Sequence, residues 1–189
     1  ESTYVAELYD RVSDVAKGAA LMTGTRVSCR TVSAYAELLS VPAMEALMME
    51  AMQEAEKPEY ADDDYEYAAR FAADQASPSI DTTILPADQS INLGSTDVGD
   101  VSWIVPTVHL NIPTFAAGTA LHSWQAVAQG KSSIAHKGML YAAKIMSLTA
   151  LDFLQNPELA NQARKELTET LDGETYPNPL PKDLKPEIW

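Results

Sequence analysis

Residues 94–129 have the sequence GSTDVGDVSWIVPTVHLNIPTFAAGTALHSWQAVAQ, and this stretch determines the fold and the site that we expect. Within it, residues 106–113 alternate apolar and polar side chains, with a proline at each end. The apolar members are Val108, Leu110 and Ile112. This period of two is typical of a strand with one buried face. The strand is therefore expected to lead into a turn at residues 117–119.

Five residues beside the expected strand are candidates for a functional site: Asp97, Asp100, Gly118, Thr119 and His122. Nearby glycines permit backbone conformations that other residues resist, so loops are expected here, and loops on a rigid scaffold often hold functional residues. Each candidate also has a structural interpretation. The acids are compatible with loop capping, the Gly-Thr pair with a tight turn, and an isolated histidine is more often structural than catalytic.

Helical periodicity accounts for much of the remaining chain. The helical segments are expected near residues 4–17, 40–55, 62–74, 134–155 and 157–171. Gly18 is expected to end the first helix and Asn156 to cap the last. The three aspartates at residues 62–64 predict a solvated helix start. Because residues 134–155 are apolar on nearly all sides, this helix is expected to be deeply buried.

The composition argues against several classes of partner. With 13 basic and 27 acidic residues, the formal net charge is -14. This charge argues against nucleic acid and anionic membranes as partners, because binding phosphate requires Lys and Arg. No apolar run reaches the length of a membrane span. The single cysteine, Cys29, excludes an intrachain disulfide and suits the reducing cytoplasm.

Several sequence words are long enough to compare with known families. They are GAALMTGT (residues 18–25), GSTDVGDVSW (94–103), GTALHSWQ (118–125), VAQGKS (127–132) and AHKGM (135–139). In this order they resemble the M20 family of metal-dependent amidohydrolases, and within it the group that hydrolyses p-aminobenzoyl-glutamate. The resemblance extends over essentially the whole chain and corresponds to the C-terminal part of such an enzyme.

The resemblance implies an α/β fold in two parts. Residues 1–39 would be the end of an α+β lid or dimerisation domain, with its last helix and a strand at residues 26–32. Residues 40–189 would be the C-terminal part of the catalytic domain, with helices packed on a mixed sheet. The expected partners are the N-terminal portion of the same enzyme and, through the lid domain, further copies or a second subunit.

The resemblance also implies a chemistry for the site. M20 enzymes hydrolyse an amide bond with two divalent cations, such as zinc or manganese, and a bridging water. His122 occupies the place of the late histidine that completes this metal site. Asp97 and Asp100 would then support the metal ligands or shape the substrate pocket, while Gly118 and Thr119 would donate hydrogen bonds to a substrate carboxylate.

The chain departs from the family pattern at important points. Thr96 stands before Asp97 where many relatives have an acid pair, and the His-x-Asp and Glu-Glu motifs of the N-terminal half are absent from this sequence. We therefore expect no catalytic residue in this chain and no activity from it alone. The parent enzyme would cleave p-aminobenzoyl-glutamate or a related N-acyl amino acid. The alternative hypothesis is a non-catalytic binding or assembly module derived from the same fold.

Overall fold

The computed structural model describes residues 2–72, 78–87, 94–182 and 184 of the 189-residue chain. Within those ranges the backbone forms seven α-helices and no β-strand. The helices are α1 (Ser2–Thr23), α2 (Pro42–Glu54), α3 (Asp62–Ala69), α4 (Val98–Ser102), α5 (Trp124–Gln129), α6 (Ser133–Gln155) and α7 (Pro157–Leu171). None of these helices combines the length and the apolar character that crossing a membrane would require.

The chain divides into two compact units, each built from segments that are distant in sequence. The first unit consists of Glu1–Ser40, Ile91–Thr107 and Arg164–Trp189, and the second of Val41–Ser90 and Val108–Ala163. One boundary falls between Thr107 and Val108, inside the stretch 94–129. The division after residue 39 into a lid domain and a catalytic domain stays a prediction.

The predicted α/β fold with a mixed sheet is wrong for the part of the chain that the structure describes. Residues 26–32 and 106–113 have no helical structure and form no strand ladder. A strand exists through hydrogen bonds to a neighbouring strand, whereas an alternating pattern indicates only which side of a segment is buried. In residues 106–113 the buried side packs against helices, and in residues 26–32 Val27 and Cys29 are exposed.

The main core of the second unit forms where α2 packs against α6. Its buried members are Met48, Ala51, Ala55, Tyr141 and Ile145. Residues 106–113, which we call the extended segment, pack their alternating side chains on this cluster: Val108, Leu110 and Ile112. Gly138 permits this close packing, since a Cβ there would lie 2.5 Å from the carbonyl oxygen of Pro113. Two methionines of α2 thus contribute to the core, Met48 as a buried member and Met52 packed against the cluster.

A second core cluster lies where α3, the loop of residues 78–87 and the start of α6 meet. Its buried members are Ala68, Ile80, Ala116 and Ile134, with Tyr60, Tyr67, Phe71 and Ala72 packed against them. Because Ala116 belongs to this cluster, the chain is fixed on a core immediately before the candidate turn. The cluster therefore positions the loop that follows.

The composition of α6 predicted a helix that is buried on all sides, and this prediction is wrong. Leu140 is 65% exposed and Leu154 is 81% exposed. The α2 helix and the extended segment cover one face of α6, where Ile145 is fully buried. The opposite face keeps a row of exposed apolar side chains: Met139, Leu140, Met146, Leu151 and Leu154.

Helix α1 continues through Gly18, the residue predicted to end it. It stops at Gly24, where φ is 63°. The N–H of Thr25 donates to the carbonyl of Ala20 at 2.9 Å, which satisfies a terminal carbonyl in the manner of a Schellman ending. Open space surrounds Gly18, so glycine is tolerated inside the helix.

Helix α7 begins and ends where the sequence predicts. The N–H of Glu158 donates to Oδ1 of Asn156 at 3.3 Å, which confirms the predicted cap, and Pro157 is the first helical residue. Beyond its end, Asp172 and Gly173 have φ values of 44° and 85°. Two consecutive left-handed residues stop the helix.

Candidate functional site

The turn predicted around residues 117–119 forms next to the second core cluster. Gly118 has a φ of 74°, in the left-handed region that glycine enters most easily. The N–H of Ala117 donates to the carbonyl of Ser79 at 2.8 Å. This hydrogen bond fixes the start of the turn on the backbone of another loop in the same unit.

The hydroxyl group of Thr119 is used inside the turn. It donates to the carbonyl of Ala116 at 2.8 Å and accepts from Nε2 of Gln129 at 3.0 Å. A hydroxyl group has one proton, so Thr119 has none left to donate to a substrate carboxylate in this conformation. Gly118 beside it is exposed, and a substrate role for the pair stays a prediction.

Gln129, the last residue of α5, hydrogen-bonds to the turn and to residues on either side of it. Its side chain is fully buried. Oε1 accepts from the N–H of Ala116 at 2.8 Å, while Nε2 donates to Oγ1 of Thr119 at 3.0 Å and to the carbonyl of Gln125 at 3.2 Å. Sequence reasoning missed Gln129, because nothing in the local pattern distinguishes this glutamine from a surface residue.

His122 lies on the loop between the turn and α5, with its side chain exposed. Its φ is 58°, a left-handed conformation that is uncommon for a residue with a Cβ. Ser123 follows and caps α5, accepting from the N–H of Ala126 at 3.2 Å and donating to the carbonyl of Ala120 at 2.6 Å. The imidazole is therefore held on the surface by an ordered loop.

Large apolar side chains close to His122 in sequence are also exposed. Leu121, Trp124 and Val127 are 69%, 72% and 82% exposed. The ring of Trp124 meets the ring of Phe71 edge-on, with 6.3 Å between the centroids. The surface that includes this part of α5 is consequently apolar.

Asp97 and Asp100 belong to the first unit. Asp97 is exposed at the N-cap of α4, and its side chain makes no capping hydrogen bond there. Oδ1 of Asp100 accepts from the N–H of Ala36 at 2.8 Å, and its carboxylate also accepts from the Tyr176 hydroxyl. Burial raises the pKa of the Tyr176 phenol, and the hydrogen bond to Asp100 raises that pKa further. Asp100 thus joins three segments, and a site role for either acid stays a prediction.

Two residues near Asp100 hold the same segment of the first unit. Oγ of Ser102 accepts from the N–H of Leu39 at 2.9 Å. Nε1 of Trp103 donates to the carbonyl of Glu37 at 3.1 Å. The helical turn of α4 therefore uses its polar side chains to hold a segment that forms no regular structure of its own.

An ion pair in the second unit was not predicted. Nζ of Lys137 lies 2.6 Å from Oδ2 of Asp64, and the Asp64 side chain is only 8% exposed. The ammonium group also lies 5.3 Å from the centroid of the Tyr60 ring. The prediction of a solvated aspartate run at residues 62–64 is therefore wrong for Asp64. The partners are 73 positions apart, so no local spacing indicates the pair.

The ion pair keeps the Asp64 carboxyl group ionised. Burial is the largest influence on its pKa and acts to raise it. Hydrogen bonds from Lys137, from the N–H of Ala61 and from Ser133, with the positive charge of Lys137, outweigh burial. The pKa of Asp64 therefore lies below its ordinary value.

A metal site needs several donor side chains close together. Within the described ranges, no three His, Cys, Asp or Glu side chains come together as a possible metal site. His109 and His136 lie exposed on the surface. A two-metal centre needs several ligands, and His122 offers one imidazole. These residues do not by themselves fit a dinuclear centre, and we assign no step to a metal.

Comparison with known proteins finds hydrolases. The chain is 34% identical over 215 aligned residues to a p-aminobenzoyl-glutamate hydrolase polypeptide of Escherichia coli (strain K12), one of the subunits of that enzyme, covering 98% of this chain and 45% of that protein. Xaa-Arg dipeptidases of Mus musculus and Homo sapiens are 40% and 38% identical over 87 residues, covering 45% of this chain and 20% and 19% of theirs. No family model and no solved structure matches.

These similarities confirm the resemblance that the sequence words predicted. The names of all three relatives denote hydrolases. The chain spans less than half the length of the E. coli relative, and its similarity to that protein covers nearly every residue of the chain.

Proposed function

We propose that this chain is the C-terminal part of a metal-dependent amidohydrolase that cleaves p-aminobenzoyl-glutamate or a related N-acyl amino acid. The observation that supports this proposal is the similarity to the E. coli hydrolase polypeptide over 98% of the chain. In the reaction, the oxygen of water becomes bonded to the acyl carbon, the amide C–N bond breaks, and the amine leaves with a proton. The activity belongs to the longer protein, and the chain alone is expected to be inactive.

In this proposal His122 supplies one metal ligand. Its exposed imidazole on an ordered loop supports that role, since a ligand completed by residues elsewhere must be accessible to them. The remaining ligands, the two divalent cations (zinc or manganese) and the carboxylate base belong to the complete protein. The residues of this chain hold the imidazole in place and position the substrate.

The other predicted site residues have unequal support. Gly118 is exposed in a turn that places its backbone at the surface, which suits contact with substrate. Asp97 is exposed and caps nothing, so its carboxylate is available. Thr119 and Asp100 already use their polar groups within the fold, and we propose that they support the site by shaping it.

Exposed apolar surface supports a protein partner. One face of α6 and the side chains of Leu121, Trp124 and Val127 are apolar and exposed. We propose that the N-terminal portion of the same protein covers these surfaces, as part of a catalytic domain that includes residues 40–189. Residues 1–39 are proposed as the end of a lid domain. The apolar stripe of α1, in which Val15 is 71% exposed, supports an oligomer or a second subunit there.

The proposal is tested by measuring metal content and hydrolysis of p-aminobenzoyl-glutamate. The samples are the 189-residue chain alone, the chain mixed with the complementary N-terminal portion, and the mixture carrying His122→Ala. We expect metal and activity in the mixture and their loss in the variant. His136→Ala is the matched control, because His136 is also exposed and has no proposed site role.

A mixture that binds no metal and hydrolyses nothing would overturn the amidohydrolase proposal and favour the non-catalytic binding or assembly module. Equal activity in His122→Ala and His136→Ala would retain the hydrolase and remove His122 from its site.

A further inference from the structure

We infer that Gln129 is a positioning residue, whose buried side chain fixes the loop of residues 117–123 that presents Gly118 and His122. The inference rests on the proposed function of that loop, because a positioning role has meaning only if the loop takes part in the reaction. Gln129 itself lies inside the fold and is expected to touch neither substrate nor metal.

The hydrogen bonds of Gln129 span the loop from one end to the other. Oε1 accepts from Ala116 before the loop, and Nε2 donates to Thr119 within it and to Gln125 after it. Both protons of the carboxamide are therefore used, together with its oxygen. One rigid planar group thus sets the relative positions of three points along the chain.

Burial makes this arrangement specific for glutamine. The residue is 0% exposed, so water has no access to replace a lost hydrogen bond. Glutamate lacks both donors when ionised, asparagine is one methylene shorter, and methionine matches the size without the polar groups. Each replacement leaves the N–H of Ala116 or the hydroxyl of Thr119 without its partner.

The loop needs such support because it contains two left-handed residues, one of which, His122, has a Cβ. Gly118 and His122 have φ values of 74° and 58°. Left-handed conformations of residues with a Cβ persist where the surroundings hold them. We therefore expect a loop without Gln129 to leave this conformation and to misplace the His122 imidazole.

The first experiment measures amide hydrogen exchange in the 189-residue chain for Gln129→Met. Ile145→Ala provides a variant of comparable destabilisation in the other core cluster of the same unit, and Gln53→Met changes an exposed glutamine on α2. We expect Gln129→Met to accelerate exchange in residues 117–123 by roughly tenfold more than Ile145→Ala does. Equal acceleration in the two variants would overturn the inference.

The second experiment measures hydrolysis by the complete protein with the same substitutions, at a temperature where all variants are folded. We expect kcat/KM to fall by about tenfold in Gln129→Met and to stay within about twofold in Ile145→Ala and Gln53→Met. Equal kinetics in all three variants would overturn the positioning role. If the unaltered protein hydrolyses no amide, the proposed function fails, and the exchange experiment alone decides whether Gln129 fixes the loop.

Discussion

Residues 94–107 and residues 108–129 follow each other directly, yet they use their polar side chains in opposite ways. In the first part, side chains of α4 hydrogen-bond to the backbone of residues 36–39 and so serve the fold. In the second part, apolar side chains pack on helices, and one buried amide, Gln129, holds the loop. His122 is left exposed at its surface.

The difference shows how a functional candidate is distinguished from a structural one. Asp100 and His122 both lie close to a glycine in short polar segments, and the sequence proposes both. In the structure the Asp100 carboxylate accepts hydrogen bonds from two other segments of its unit. The His122 imidazole is at the surface in a strained backbone conformation, which is a stronger indication of function.

The substitution with the largest expected effect tests how closely α4 packs against the backbone of residues 36–37. A Cβ at Gly99 would overlap the carbonyl group of Ala36. We expect Gly99→Ala to destabilise the first unit by about 3 kcal/mol, because the backbone at Ala36 or at Gly99 must move to make room for the Cβ. In the matched control Gly18→Ala, open space surrounds the residue and a stabilisation of about 1 kcal/mol is expected. Chemical denaturation measures both, and equal effects would contradict the close approach.

A substitution in the second unit tests whether its buried charge depends on one partner. Lys137→Met leaves Asp64 buried without its cation, and we expect a loss of about 2 kcal/mol at neutral pH. Lys144→Met on the same helix removes an exposed pair at 4.0 Å and is expected to cost less than about 0.5 kcal/mol. Urea denaturation of both variants measures the difference, and equal losses would show that the buried carboxylate does not need Lys137.

The same pair predicts a dependence on pH. The pKa of Asp64 is lowered in the folded chain, so its contribution to stability is present above its unfolded pKa of about 3.9 and is lost as the pH falls through its folded pKa. In Lys137→Met the burial of Asp64 raises its pKa without the opposing cation, so the stability difference from the unaltered chain should shrink as the pH falls from that raised pKa through the lowered pKa of the unaltered chain. Denaturation curves recorded from neutral to acidic pH measure it, and a constant difference would exclude Asp64 as its source.

A third test compares the two acids of α4 directly. Asp100→Ala leaves the N–H of Ala36 without its acceptor, so we expect a loss of about 1 kcal/mol. It should also lower the pKa of Tyr176, which NMR titration of the phenol measures. Asp97→Ala removes the same charge from an exposed side chain, and we expect a change within about 0.5 kcal/mol. Similar losses from both variants would show that the two acids serve the fold equally.

The smallest expected effect concerns the backbone of His122. Glycine accepts a φ of 58° without strain, so His122→Gly is expected to stabilise the chain by about 0.5 kcal/mol while abolishing the proposed activity. His109 lies in the extended segment, and His109→Gly is expected to destabilise by about 0.5 kcal/mol. Thermal unfolding of both variants gives the signs, and destabilisation in both would show that the His122 conformation is unstrained.

The sequence predicted the positions of several helices better than it predicted which faces of the segments are buried. The periodic segment 134–155 became α6 at Ser133–Gln155, and α7 has the predicted bounds. The sequence could not predict that helices bury one side of residues 106–113. The alternating pattern shows only that one side is buried, and the helices that bury it lie at distant positions in the sequence. The exposed face of α6 was missed for the same reason.

The candidate site was predictable in its local parts only. The turn at Gly118 follows from glycine chemistry, and the loop beyond it contains the predicted His122. Gln129 and the pair of Asp64 with Lys137 depend on contacts that no spacing in the sequence reveals. Polar residues that become buried are recognised as important only when their partners are known.

The extended segment of residues 106–113 has a consequence for handling the isolated chain. Its alternating side chains pack on one core cluster, and it forms no ladder with any other described segment, so we expect its peptide groups to be a place where a second polypeptide pairs. Pro106 and Pro113 limit this pairing to the residues between them, because proline has no N–H to donate. We therefore expect replacement of either proline to lengthen the segment that can pair and to increase aggregation of the isolated chain.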